Sequence, residues 1–172
     1  MDDDRVTPAQ TIGPFFHQGW AWLVTASGNQ QRSGEGWATV SGTVADGDGQ
    51  GVPDAALEVW QSMPGLEDPG LAGFQRVHTG PGGEYTFGVH RAAEGPAYAH
   101  VTIFARGLLA ALRTRVYLNV TMAQLEGFQD LRHVPRDRLG TLAATPAGDD
   151  PTRWTWNIRL QGAAETVFFT LL

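Results

Sequence analysis

Residues 98–104, Tyr-Ala-His-Val-Thr-Ile-Phe, alternate with a period of two. That period belongs to a β-strand, and it sets Tyr98, His100, Thr102 and Phe104 on one face. The run ends in Phe104-Ala105-Arg106-Gly107, so a guanidinium sits just past the strand beside a glycine that lets backbone or ligand come close. An arginine donates two parallel, charge-assisted hydrogen bonds to a planar carboxylate. Arg106 is therefore a candidate anion-binding residue at a strand end.

Strand signals recur along the chain. Val40–Val44 reads as a short strand, followed by the turn Asp46-Gly47-Asp48-Gly49. Residues 55–60 form the next, with Leu57 and Val59 on one face. Tyr85, Phe87 and Val89 alternate with Glu84, Thr86 and Gly88 as a half-buried strand. Residues 113–118 and 154–160 alternate as well, the latter burying Trp154, Trp156, Ile158 and Leu160. Residues 62–82, broken by prolines and glycines, read as a long loop. Short helical turns are expected near 120–127 and near 135–143, the second opened by Pro135. The fold expected is all-β: a two-sheet β-sandwich of immunoglobulin or transthyretin type with one or two short helices. An N-terminal arm, residues 1–36, carries the aromatic island from Phe15 to Trp22, and the sandwich occupies residues 37–172.

Composition excludes several classes. A chain of 172 residues makes one domain, enough to bury roughly 70% of the surface its unfolded form exposes. There is no cysteine, hence no disulfide framework, zinc–thiolate site or thiol nucleophile, which fits a cytoplasmic location. Met1-Asp2-Asp3-Asp4 is acidic where a signal peptide is basic, and no apolar run approaches a membrane span of ~18 residues. A formal charge of −6 argues against nucleic acid, and it requires a local arginine wherever an anionic substrate binds.

One stretch admits a non-enzymatic reading. Gly42–Val59 encodes strand, turn and strand, a pattern shared with transthyretin-like binding modules. Such modules have no use for the blocks found elsewhere: Thr7-Pro8-Ala9-Gln10-Thr11-Ile12-Gly13-Pro14-Phe15-Phe16, Leu57-Glu58-Val59-Trp60-Gln61, Phe104-Ala105-Arg106-Gly107 and Gln161-Gly162 running into Glu165-Thr166-Val167-Phe168-Phe169. In order and separation these blocks resemble the intradiol ring-cleaving dioxygenases, and among them the α-type chains of the two-chain enzymes. The resemblance spans most of the chain, from Thr7 to Phe169.

The resemblance implies a division of labour. Intradiol enzymes hold non-haem Fe(III) with two tyrosinates and two histidines, a hard anionic set suited to that ion. In the stretch matching the histidine pair, Gly95-Pro96-Ala97-Tyr98-Ala99-His100, Tyr98 stands at the first histidine position and His100 at the second. Residues 62–76 and 86–97, where the ligand tyrosines would fall, contain no tyrosine. The iron is then expected in a homologous β chain, and this chain in an αβ hetero-oligomer with it. The implied reaction is cleavage of protocatechuate by O2 to 3-carboxy-cis,cis-muconate. This chain would supply substrate-binding residues Thr11, Gly13, Pro14, Phe15 and Arg106, with no catalytic or metal-ligating residue of its own.

Overall fold

The structure is a computed structural model that describes residues 8–13, 15–16, 18–19, 34–63, 73–91 and 95–170. Its strands are β1 (Trp37–Ala45), β2 (Ala56–Trp60), β3 (Phe74–His78), β4 (Glu84–His90), β5 (Ala97–Phe104), β6 (Leu112–Leu118), β7 (Thr145–Pro146), β8 (Arg153–Thr155) and β9 (Ile158–Arg159). Two short helices, α1 (Met122–Gly127) and α2 (Arg136–Leu139), follow β6. One sheet runs β4-β1-β8-β7, with β9 also paired to β1; the other runs β3-β2-β5-β6. The sandwich expected from alternation is thus present.

Alternation decides which face goes inward. In β5, Ala97, Ala99, Val101 and Ile103 are buried, while Tyr98, His100, Thr102 and Phe104 face outward. The four buried residues meet Val40, Val44, Phe87 and Val89 of the opposite sheet in one continuous core. Each fully buried aliphatic side chain of this kind contributes about 1.5–3 kcal/mol. A second cluster, built on Tyr117, Leu125, Leu131, Leu139 and Leu142, anchors the helices to the outside of β6. Helix α1 begins with a capping box: Thr121 accepts from the Gln124 amide, and the Gln124 side chain accepts from the Thr121 amide.

Two expectations need correction. The loop assigned to 62–82 contains β3, which pairs with β2 so that Leu57 faces Val77 and Trp60 faces Phe74. Its inward position carries a polar residue, Gln75, buried to 1% exposure, and that broke the apolar pattern. The Gln75 amide crosses to the opposite sheet, donating to Gly88 O at 2.7 Å and accepting from Gly88 N at 2.9 Å. Gln61 does the same to His90, at 2.8 and 2.7 Å. Strand β4 is a sheet edge, so these two glutamines satisfy backbone groups that no neighbouring strand reaches.

The second correction concerns 154–160, which forms β8 and β9 rather than one strand. The ladder with β1 breaks opposite Gly42, where a Cβ would lie 1.7 Å from the Trp156 carbonyl oxygen. That oxygen instead accepts from the Tyr85 hydroxyl at 2.5 Å, and Asn157 Oδ1 takes the Thr43 amide at 3.0 Å. The break needs glycine at 42, a packing demand that alternation does not display.

Candidate functional site

Strand β5 ends at Phe104 and the chain turns at once. Ala105 is buried, Leu108 N donates to Ala105 O at 3.3 Å, and Gly107 adopts φ 86°. Only glycine takes that conformation without strain, so the sequence Arg-Gly lets the turn close while Arg106 projects outward. The Arg106 side chain is 54% exposed and pairs through Nε with Asp54, whose side chain is 14% exposed. A cavity of about 510 Å³ opens beside the pair, lined by Pro53, Asp54, His78, Thr79, Pro81 and Arg106.

The N-terminal arm comes to the same turn. Thr11 Oγ1 accepts from Gly107 N at 2.7 Å. The Phe16 ring packs against Phe104, centroids 5.9 Å apart at 39°. A pocket of about 230 Å³ between the two segments is lined by Gln10, Ile12, Phe104, Ala105, Leu108 and Leu109. Of the residues expected at a binding site, the structure therefore brings Thr11 to the Arg106 turn. Gly13 and Phe15 stay exposed, Phe15 at 71%, and Gly13 O accepts from Phe16 N at 3.2 Å. Pro14 lies outside the described residues, as do Trp20 and Trp22 of the aromatic island. Asp54 was not anticipated among the site residues.

A different chemistry occupies the outer face of β5 that the resemblance aligns with a histidine pair. Tyr98 stacks on Tyr117 at 5.4 Å and meets His100 edge-on at 5.5 Å. Arg115, opposite His100 in the β5–β6 register, pairs with Asp130 and donates to the Tyr117 hydroxyl at 3.3 Å. Burial and the neighbouring Arg115 charge hold His100 below the ordinary imidazole range, against an opposing effect of Asp130. Burial pushes the Tyr117 phenol up, more than the Arg115 hydrogen bond pulls it down. This face offers one histidine, His100, and a Tyr117 hydroxyl that Arg115 already occupies, which is short of the two-tyrosinate, two-histidine set suited to Fe(III). The remaining tyrosine, Tyr85, is committed to the core. Among the described residues no three His, Cys, Asp or Glu side chains group as a metal site. Among the described residues, this face does not fit ferric iron.

No protein-family model matches the chain. It is 32% identical over 191 aligned positions to the protocatechuate 3,4-dioxygenase alpha chain of Burkholderia cepacia, covering 96% of this chain and 97% of that one. With the protein of the same description from Pseudomonas putida it shares 34% identity over 194 positions, covering 95% of each. Among solved structures it superposes on the dioxygenase domain of a dioxygenase–carbohydrate-binding fusion from Streptomyces sp. SirexAA-E with a TM-score of 0.55 and 20% identity. That match covers 92% of this chain and all of the domain, and it bears on the fold alone.

Proposed function

Because this chain belongs to the family of protocatechuate 3,4-dioxygenase alpha chains, we propose that it serves as the non-metallated partner of an iron-bearing β chain. The pair cleaves protocatechuate with O2 between its two hydroxylated carbons, giving 3-carboxy-cis,cis-muconate. Ring opening belongs to the β chain; this chain contributes position and charge. Protocatechuate differs from catechol by a carboxylate, and Arg106 is the cation that receives it. The arm, with Gly13 beside the ring, and Phe15 and Leu109, exposed at 71% and 65%, face the β chain.

The observation that carries this reading is the docking of Thr11 on the Arg106 turn, since it joins two distant sequence blocks into one surface. The Tyr98–His100 face supports the metal-free role through its donor chemistry. The acidic balance of −6 adds a reason for a dedicated arginine, because the chain as a whole repels an anionic substrate.

A charge-assisted bond to a desolvated carboxylate is worth about 1.5–3 kcal/mol, or about ten- to a hundredfold in binding. Arg106→Ala in the αβ complex should raise KM for protocatechuate by that factor, with iron content in the β chain unchanged. Arg106→Lys should recover only part, because a point charge does not reproduce the planar fork. Catechol should be affected far less. Wild-type kinetics of the alanine variant on protocatechuate would make Arg106 a structural residue.

A further inference from the structure

We infer that Asp54 is a positioning residue for Arg106, holding its guanidinium so that the terminal nitrogens face the substrate carboxylate. The inference rests on the role of Arg106 given above. The register supplies the first argument. The β2–β5 ladder ends at Ala56–Phe104, and Asp54 and Arg106 each lie two residues beyond that last pair, in the turns that leave it. Both turns leave the same end of the paired strands, which brings the Asp54 and Arg106 side chains together.

The second argument is the rigidity of the anchor. Thr79, 3% exposed, accepts the Ala55 amide at 3.0 Å and donates to Val52 O at 2.6 Å, and its own amide donates to Ala55 O at 2.9 Å. These bonds brace both sides of the Pro53-Asp54 turn. The Asp54 side chain is 14% exposed against 54% for Arg106, so the acid is the fixed member and the base the presented one. The pairing is through Nε. A carboxylate approaching end-on takes the other two nitrogens, the geometry of a bidentate fork. A supporting group of this kind lowers the cost of ordering the arginine when substrate binds.

Asp54 also brings a negative charge toward an anionic ligand, an effect of opposite sign. An amide at 54 separates the two, since it keeps the size of the side chain and a polar oxygen beside Nε but carries no charge. In the complete αβ complex, Asp54→Ala should raise KM for protocatechuate about two- to tenfold, the scale of ordering one rotamer-rich side chain. Its kcat, and both constants for catechol, should stay unchanged. Asp54→Asn should remain within about twofold of wild type in KM, and Asp54→Ala should add nothing in an Arg106→Ala background. An unchanged or lowered KM in Asp54→Ala, with Arg106→Ala still impaired, overturns the positioning role and leaves that of Arg106 standing. An equal rise in both backgrounds overturns it too, marking Asp54 as structural. Loss of any Arg106→Ala effect removes both.

Discussion

Gly107 donates its backbone N–H to Thr11 Oγ1 at 2.7 Å across 96 residues of chain. The bond ties the arm to the Arg106 turn, and Thr11→Val removes the acceptor while keeping the shape. A hydrogen bond of this kind contributes about 0.5–1.5 kcal/mol, so exchange of the Gly107 amide should speed up about two- to twelvefold. Thr11→Ser should keep wild-type protection. Unchanged exchange in the valine variant would mean that the arm does not hold the turn.

Gln75 makes a sharper demand. Gln75→Leu preserves volume but strands the buried N–H and C=O of Gly88. Each unsatisfied group costs about 1–3 kcal/mol, so unfolding free energy should fall by about 2–6 kcal/mol in a denaturant titration. Gln75→Glu keeps one acceptor for Gly88 N but loses the donor to Gly88 O, and should also destabilise. A leucine variant as stable as wild type would remove the edge-satisfying role.

Much of this architecture is legible in the sequence. Alternation in Tyr98–Phe104 marks a strand and separates its two faces, and in Tyr85–Val89 it also marks the inward face observed. What alternation misses is polar residues doing structural work inside: Gln75 hid β3, and the close approach at Gly42 split the last strand in two. At the site, Arg106 and Thr11 stood out as parts of motifs. Asp54 did not, because its meaning comes from where the end of the β2–β5 ladder places it beside Arg106, which no local motif reveals.

Gly42 tests the split directly. Gly42→Ala drives a methyl to 1.7 Å from the Trp156 carbonyl oxygen and displaces it from Tyr85. The clash is with backbone, so relief requires moving β9 off β1. The expected loss is about 2–4 kcal/mol, read as a lower Tm. Tyr85→Phe, which removes only the hydroxyl, should cost less, about 1–2 kcal/mol. A Gly42→Ala variant as stable as wild type would contradict the packing described.

His100 provides a pH signature. Burial first, then Arg115, depress its proton affinity in the fold, so between its folded value and about 6.5 the unfolded chain binds more protons. Stability from this residue is present above about pH 6.5 and is lost as pH falls through the folded value. Imidazole NMR should show His100 titrating below the ordinary range. Arg115→Met should raise it, because the repelling charge goes while Asp130 stays. A shift downward in that variant would contradict the assignment.

The central claim is that this chain contributes substrate contacts and no metal. The direct measurement is iron content and protocatechuate turnover of the chain purified alone and co-expressed with a family β chain. The account predicts a colourless, inactive chain alone, and activity with about one iron per αβ pair in the complex. Stoichiometric iron, visible tyrosinate-to-iron absorption and turnover by the lone chain would contradict it.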